Sequence, residues 1–448
     1  MAMGRQGDRQ GDLMVSWSEM PRSPGHVFYD RLQEILVEGG FDAYAEETCK
    51  PYYAVKMGSR SIPPGRYFRM HLVGYFEGIA SERGLSWRCS DSFSLREFLR
   101  LEGRDKVPCH SWLSRTRGRL PLEAHAKVFD WALALIAEAG LVKGDRIGVD
   151  GSTMEANAAL RNIVRRDTGE GYRDMLRRLA QESGIETPTM EDLIRVDRKR
   201  KGKKLSNQDW VSKSDPEARI AKMKDGTTHL AYKPEHAVDL DTGAIVAAEL
   251  HPADEGDTTT LEKTLDAAEE NLETVDAAPT LEDPAECVTD KGYHSRAVLK
   301  NLDDSPWKTR IAEPKQKGFS RWRSDEAARR AVTNNRTRLK SGVAREAFKL
   351  RAEIVERSFA HCLDRGGMRR TWLRGRENIK KRYLLHVAGH NLSLLMRQLI
   401  GAGTPREAAD RGYVAILADS TPSGDVLAVF ITSETGVAIL LAGYLTFE

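Results

Sequence analysis

The sequence predicts an α/β protein in which a mixed sheet with helices follows an all-α N-terminal region. Apolar residues recur at helical spacing up to Gly140, and short apolar runs that end in turns begin after Gly144. A hairpin pattern surrounds Gly243. A chain of 448 residues is long enough for two or three domains. We therefore expect a loose tail over 1–25, a helical domain over 26–143, an α/β domain over 144–400 and a C-terminal tail of unclear role over 401–448.

The composition excludes several classes of protein. With 40% hydrophobic and 30% charged residues, the chain has the usage of an ordinary water-soluble protein. Its five cysteines are scattered and form no C-x-x-C pair, so we expect neither a disulfide framework nor a cysteine zinc site, and we expect a reducing, cytoplasmic setting. The first residues lack the apolar stretch of a signal peptide, and no apolar run reaches the roughly 20 residues of a membrane-spanning helix.

The charge of the chain is unevenly distributed. The formal net charge is only +3, but residues 315–382 contain 21 Lys and Arg against 7 Asp and Glu, a local charge of +14. The rest of the chain therefore carries −11. Concentrated cations bind phosphate backbones, so this segregation predicts a nucleic-acid partner; a solvated basic surface is the alternative.

Five helices are predicted in the N-terminal region, each from its apolar spacing and from a glycine or proline at its end. They are expected over 26–40, 67–79 and 94–101, from about residue 110, and over 121–140. The third and fourth are separated by the loop 102–108, which gives the layout of a helix-turn-helix. The second helix of that pair carries Arg115 and Arg117, which we predict to contact DNA.

The elements of the α/β region follow in order. A strand ends at Asp150, and a charged helical insertion is expected over about 156–210. The hairpin around Gly243 comes next, followed by a helix over 258–272 capped by Asp257 or Thr258. A strand over 285–289 ends at Asp290, a helix reaches about residue 302, and TRIAEP forms another strand. A basic loop over about 315–343 then precedes the last long helices.

Two aspartates are the first candidates for chemistry. Asp150 and Asp290 each close a short apolar strand, and each is followed by a glycine within two residues, in VDG and TDKG. A carboxylate at a strand end before a tight turn is held in one direction and stays open to a ligand, as a divalent metal site requires. A turn-capping role is the alternative for either residue taken alone.

A third carboxylate lies on a late helix. Val355 and Phe359 belong to its apolar stripe, while Glu356 has an alanine one turn before it and one turn after it. Three carboxylates can hold two Mg²⁺ ions about 3.5–4 Å apart, which bind the attacking and leaving oxygens of a phosphodiester; Mn²⁺ would suit the same ligands. Glu353 is the competing third ligand.

These residues lie in stretches that resemble the DDE transposases of bacterial insertion sequences. The resemblance covers about 25–397 and includes VDGSTMEANAA, the hairpin THLAYKPEHAVDLDTGAIVA, VTDKGYHS and IVERSFAHCLDRGGMRRTWLRGRENIKKRYLLHVAGHNLSLLMR. It implies an RNase H-like core with Asp150, Asp290 and Glu356 as the metal-binding triad, at spacings of 140 and 66 residues. The N-terminal region, with SIPPGRYFRMHLVGYFEGIASERGLSWRCSDSFSLREFL and HSWLSRTR, is similar to the part that binds terminal repeats in this family.

Further residues are predicted to contact DNA from the charge of the basic segment and its surroundings. The candidates outside the N-terminal region are Lys291, Arg321, Trp322, Arg323, Lys340, Arg357, Arg369, Arg370, Arg374 and Arg376. Trp322 would stack on an unpaired base between its two arginines; an ordinary solvent-shielded tryptophan is the alternative. The family often has Tyr, Arg and Lys around the glutamate, but Lys349, Ala352 and Leu363 occupy those positions here; Arg351, Arg357 or Arg365 would have to substitute.

The sequence therefore predicts a metal-dependent endonuclease and strand-transfer enzyme that cuts element ends and joins the 3′-hydroxyl to target DNA. Its partners would be double-stranded DNA, as terminal inverted repeats and target, and a second copy of the chain. There is no G-x-x-x-x-G-K-[ST] motif, so we expect no nucleotide cofactor. An RNase H-like nuclease that cuts without joining, and a catalytically silent DNA-binding protein of the same descent, are the alternatives.

Overall fold

The computed structural model describes residues 26–54, 58, 61–102, 104–200, 206–223, 226–315 and 325–410. Residues 1–25 and most of 401–448 lie outside the described residues, as do Arg321, Trp322 and Arg323. Within the described residues, no helix combines the length and the hydrophobicity that crossing a membrane requires.

Among the described residues, the N-terminal region contains seven α-helices: α1 (His26–Glu38), α2 (Phe41–Cys49), α3 (Pro64–Phe76), α4 (Glu82–Ser90), α5 (Phe93–Phe98), α6 (His110–Arg119) and α7 (Leu122–Glu138). The five predicted helices are confirmed, but α2 and α4 were not predicted. Gly84, which follows the predicted helix over 67–79, lies inside α4. The reason is the cap: the Ser81 hydroxyl accepts the amide hydrogen of Gly84 and starts the helix there.

The sheet contains seven of the nine strands: β1 (Arg146–Gly151), β2 (Met154–Glu155), β5 (Arg219–Lys222), β6 (Thr228–Asp239), β7 (Ile245–Pro252), β8 (Ala285–Thr289) and β9 (Trp307–Ile311). Its main order is β7-β6-β1-β8-β9. β6 is antiparallel to β1 and β7, while β8 is parallel to β1 and β9. These directions and this order are those of an RNase H-like core, so the predicted fold class is confirmed.

The insertion between β1 and β6 is only partly helical. It contains α8 (Tyr172–Glu182) and α9 (Met190–Lys199), but also a small sheet of β3 (Ile163–Arg165) and β4 (Trp210–Ser212). β2 and β5 pair with the first residues of β6. The expected helical insertion over about 156–210 is therefore only partly correct: α8 and α9 form, but β3 and β4 pair with each other across the insertion, a contact that local patterning does not record.

The remaining helices are α10 (Asp257–Glu273), α11 (Arg296–Asp303), α12 (Glu326–Leu339), α13 (Gly342–Phe359), α14 (Arg376–Ile400) and α15 (Pro405–Asp410), with a π-helical stretch over Ala360–Arg365. Two expectations need correction. About half of the predicted basic loop is α12, whose buried Ala331 and Val332 attach it to the core. No side chain caps α10, which begins at Asp257 after Gly256.

Helix α14 joins the two regions of the molecule. It packs against α3 and α7 on one side and against β7 on another. Arg382 of this helix is buried and donates a hydrogen bond to the carbonyl of Ile79, 2.6 Å away. Asn391, also buried, pairs with the backbone of Ile245 in β7. The helical region is therefore packed directly onto the α/β core.

Candidate active site at the ends of the central strands

The pairing of β1 with β8 brings two predicted site residues to one edge of the sheet. The strands are parallel, with Arg146 opposite Glu286 and Gly148 opposite Val288. Continuing this register by two residues places Asp150 opposite Asp290. Because neighbouring strands lie about 4.8 Å apart, both aspartates leave the sheet at the same edge.

A short turn fixes the direction of Asp290. Its carboxylate accepts a hydrogen bond of 2.8 Å from the amide of Gly292, at the start of a single 3₁₀ turn. A β-carbon on Gly292 would lie only 2.5 Å from a carboxylate oxygen of Asp257. A side chain in place of this glycine would have to displace the Asp257 carboxylate, so the glycine in TDKG allows the close approach of α10 to this turn.

Asp150 has two partners of opposite kinds. One carboxylate oxygen accepts the amide hydrogen of Gly151 at 2.8 Å. The other lies 2.6 Å from a guanidinium nitrogen of Arg351 on α13, in an ion pair whose side chains are 26% and 12% exposed. The sequence offered Arg351 as one of three possible replacements for the arginine usual in the family. In the structure, Arg351 forms an ion pair with Asp150.

Glu356 reaches the same place from α13. The helix packs closely over β1 because Gly148 has no side chain: a β-carbon there would lie 3.0 Å from a methyl group of Val355. Glu356 and Asp150 line one cavity of about 410 Å³, together with Ser152, Thr153, Arg369 and others. Glu353, one turn earlier, does not line this cavity; it forms an ion pair with Arg357 at the surface.

The three carboxylates fit a divalent cation in kind, since hard oxygen ligands suit Mg²⁺ and Mn²⁺. Among the described residues, however, no three His, Cys, Asp or Glu side chains point at one common position. Asp150 is directed at Arg351, and Asp290 is directed at its own turn. The fold thus supplies the positions of a carboxylate site, while Asp150 is neutralised by an arginine.

A buried polar network lies next to this edge, and sequence reasoning missed it. Glu235 on β6 is opposite Gly151 and is completely buried. It accepts hydrogen bonds from the hydroxyls of Tyr293, Thr260 and Thr264 at 2.7, 2.8 and 2.5 Å. Because Tyr293 closes the turn that begins at Asp290, this network attaches that turn to the strand beside Asp150.

Lys233 supplies the balancing charge. Its ammonium group lies 3.2 Å from Glu235 and 2.6 Å from Asp257. Burial alone would raise the pKa of Glu235, but His251, 3.6 Å away, the charge of Lys233 and the hydroxyl donors lower it to about 2. The available signal was a Lys and a Glu at alternate positions inside an apolar strand, which must face the same way and meet one another.

Comparisons with known proteins agree with this arrangement. A family profile described as a transposase domain (DUF772) matches residues 18–119, and one described as a transposase DDE domain matches residues 170–392. The chain belongs to the DDE transposases of insertion sequences. No curated protein and no solved structure matched it.

The second match includes Asp290 and Glu356, whereas Asp150 lies between the two matched ranges. The assignment of Asp150 to the candidate site therefore rests on the pairing of β1 with β8 and not on a family match. The DDE domain implies an enzyme that acts on DNA and that depends on a divalent metal.

Four of the predicted DNA contacts follow one another beside the cavity of the transposase. Arg369 lines the cavity, donating to the Ser152 hydroxyl at 3.1 Å and pairing with Asp364 at 2.8 Å. Arg370, Arg374 and Arg376 follow with exposed side chains. Of these four residues, Arg369 lines the Asp150 cavity, while Arg370 and Arg374 line a separate groove beside Glu155 and Asn157.

The other predicted contacts are more widely spread. Lys291, Lys340, Arg115 and Arg357 have exposed side chains, on the Asp290 turn, at the end of α12, on α6 and on α13. Arg117 does not share this exposure. Its guanidinium is buried in an ion pair with Glu82, so it connects α6 to α4 and offers little surface to DNA.

Proposed function

We propose that this transposase cleaves phosphodiester bonds at the ends of its insertion sequence and transfers the freed 3′-hydroxyl to target DNA. The observation that carries the proposal is the register of β1 and β8, which makes Asp150 and Asp290 neighbours beside the cavity that Asp150 shares with Glu356. The proposed domains are a helical region over 26–143 that binds terminal repeats and a catalytic region over 144–400.

Asp150, Asp290 and Glu356 would hold the divalent cations, which we propose to be two Mg²⁺ ions or Mn²⁺. When bound, such cations stabilise charge on the attacking and leaving oxygens. The Gly151 amide and the Asp290 turn hold two of these carboxylates, and Asp150 would have to leave Arg351 to share a cation with the others.

The nucleophile in this scheme belongs to the substrates. Water attacks the phosphorus at the element end and releases a 3′-hydroxyl; that hydroxyl then attacks a phosphodiester of the target and displaces its 3′-oxygen. No covalent bond to the protein is needed. Arg369, which lines the cavity, would bind the phosphate that reacts, and Lys291 would bind a neighbouring one.

Two element ends must meet for transposition, so we propose that a homodimer of the chain assembles on DNA. The setting would be the bacterial cytoplasm, at the nucleoid. Arginines and lysines that neutralise several phosphates would make the binding strongly dependent on salt.

The test uses purified full-length protein, Mg²⁺ or Mn²⁺, and a plasmid carrying both ends of the element. Asp150→Ala, Asp290→Ala and Glu356→Ala should each lose cleavage and joining while still binding end DNA. Glu353→Ala serves as the matched control from the same helix. Cleavage without joining would favour the nuclease alternative, and binding without any cleavage by the wild type would favour the silent DNA-binding alternative.

A further inference from the structure

A segment that follows the predicted catalytic glutamate presents an unusual alternation of side chains. From 370 to 376 the sequence reads RTWLRGR, and its outward positions are Arg370, Trp372, Arg374 and Arg376. Thr371 is buried, and Leu373 packs against the core. Exposed and less exposed side chains therefore alternate along the segment that precedes α14, and a tryptophan stands between arginines on its exposed side.

Hydrogen bonds fix this segment beside the candidate active site. The amide of Glu155 donates to the carbonyl of Arg369, and the amide of Thr371 donates back to the carbonyl of Glu155, each at 2.9 Å. The side-chain amide of Asn157 donates to the carbonyl of Trp372 at 2.8 Å. Glu155 belongs to β2, which begins only four residues after Asp150, so the segment is tied to the strand that leaves the site.

Trp372 is exposed despite this fixed backbone. Its side chain is 55% exposed, and the guanidinium carbon of Arg370 lies 5.6 Å from the centre of its ring. An isolated exposed apolar residue needs no explanation. Here the indole has a cation against it and lies three residues after Arg369, which lines the Asp150 cavity. Its place among these cations, and not its exposure alone, indicates a ligand.

A groove adjoins the same segment. It has a volume of about 460 Å³, and Asn157, His229, Arg370 and Arg374 are among the residues that line it. Glu155 also lines this groove. Its carboxylate lies 3.7 Å from the guanidinium of Arg370 and 3.4 Å from the imidazole of His229. Arg374 donates to the carbonyl of Asn157 at 3.4 Å, so its guanidinium charge is not paired with that carboxylate.

We propose that Trp372, with Arg370 and Arg374, is a binding site for an unpaired base of single-stranded DNA. The base would stack on the indole, and the arginines would bind the flanking phosphates. Only an unpaired base exposes its face, because a duplex covers both faces of each base by stacking. The inference rests on the proposed function in one respect: the strand in the Asp150 cavity would continue past Arg369 to this site.

Binding to two DNA probes in EDTA tests the proposal, because no cleavage can occur there. Fluorescence anisotropy of the full-length protein is measured with labelled oligothymidylate and with a labelled duplex of equal length. Trp372→Ala should weaken binding of the single strand about tenfold and change binding of the duplex less than twofold. Trp372→Phe, which keeps an aromatic face, should retain most of the affinity.

Leu281→Ala is the control, since Leu281 is 73% exposed but lies between α10 and β8, away from every proposed DNA contact. It should leave the binding of oligothymidylate unchanged. Equal losses for the Leu281 and Trp372 variants, or equal losses for single strand and duplex, would overturn the proposal. Competition by polyglutamate that also depends on Trp372 would overturn it in favour of an acidic protein partner.

A second probe separates stacking from charge attraction. An oligonucleotide with one 2-aminopurine should lose fluorescence when the base stacks on Trp372, and Trp372→Ala should restore that fluorescence while Arg374→Ala changes mainly the affinity. Lack of quenching by the wild type would contradict the proposal. Because these measurements need no catalysis, a protein that stacks bases but never cuts DNA would refute the proposed function alone, and one that cuts DNA without stacking would refute this inference alone.

Discussion

Two carboxylates on neighbouring strands of the same sheet have opposite surroundings. Glu235 on β6 is completely buried and accepts three hydroxyl hydrogen bonds, with Lys233 beside it. Asp150 on β1 is 26% exposed, lines an open cavity and is balanced by Arg351. Removing one partner of a buried charge is costly because the other is left unpaired, whereas a charge at the wall of a cavity is available to a ligand. The comparison predicts that Glu235 supports the structure and that Asp150 can bind a ligand.

The largest expected effect distinguishes two glutamates on α13. Glu356→Gln should lower the rate of end cleavage at least about a thousandfold, because it removes a charge from the cavity wall. Glu353→Gln, one turn away and paired with Arg357, should change the rate less than twofold. Single-turnover cleavage of labelled end DNA measures both. A greater loss in the Glu353 variant would make that residue the third ligand.

Replacing the buried acid should affect stability first. Glu235→Gln should lower the free energy of unfolding at pH 7 by about 3 kcal/mol, because Lys233 would lose its buried partner. Glu270→Gln, an exposed substitution on α10, is the control. Urea unfolding followed by circular dichroism measures the difference; a loss below about 1 kcal/mol would contradict the role assigned to the network.

The difference in stability between the wild type and Glu235→Gln should depend on pH. The pKa of Glu235 is about 2 in the folded protein and near 4.5 when unfolded, so its contribution is complete above pH 4.5. It is lost as the pH falls through this window toward 2. The stability curves of wild type and Glu235→Gln should therefore converge on acidification. A gap that stays constant down to pH 3 would show that charge is not the cause.

A smaller effect is expected at the partner of Asp150. Arg351 and a divalent cation would compete for the same carboxylate, so Arg351→Gln should raise the affinity for Mn²⁺ about tenfold. Calorimetric titration of the protein with Mn²⁺ in the absence of DNA measures this affinity. Arg345→Gln, exposed on the same helix, is the control. Equal Mn²⁺ affinities for the Arg351 variant and the wild type would exclude the competition.

The smallest effect is expected for two arginines of α6, one exposed and one buried. Arg115→Ala should weaken end-DNA binding a few-fold and lower the salt dependence by about one counterion, without changing the melting temperature. Arg117→Ala should instead lower the melting temperature, because it leaves Glu82 buried without its partner. Anisotropy at several salt concentrations and a thermal scan measure these properties. Identical behaviour of the two variants would show that burial does not separate them.

Sequence patterns predicted the strands that carry the candidate site residues and the helices with a continuous apolar stripe. The run ending at Asp150, the hairpin around Gly243 and the strand before Asp290 all form as expected. The elements that were not predicted share a cause. β4 and β5 are short and have weak apolar patterns, and the many arginines of α12 made it resemble a loop. Local propensity is weak in such segments, so neighbouring elements decide their structure.

The sequence by itself determined the α/β class, the two aspartates at strand ends and the basic segment that follows, because apolar periodicity and turn glycines are local signals. Tertiary structure alone decided which charges meet. The register of β1 and β8, the pairing of Arg351 with Asp150 and the burial of Arg117 each join residues far apart in the chain. Such contacts depend on the packing of whole elements, and no local pattern records them.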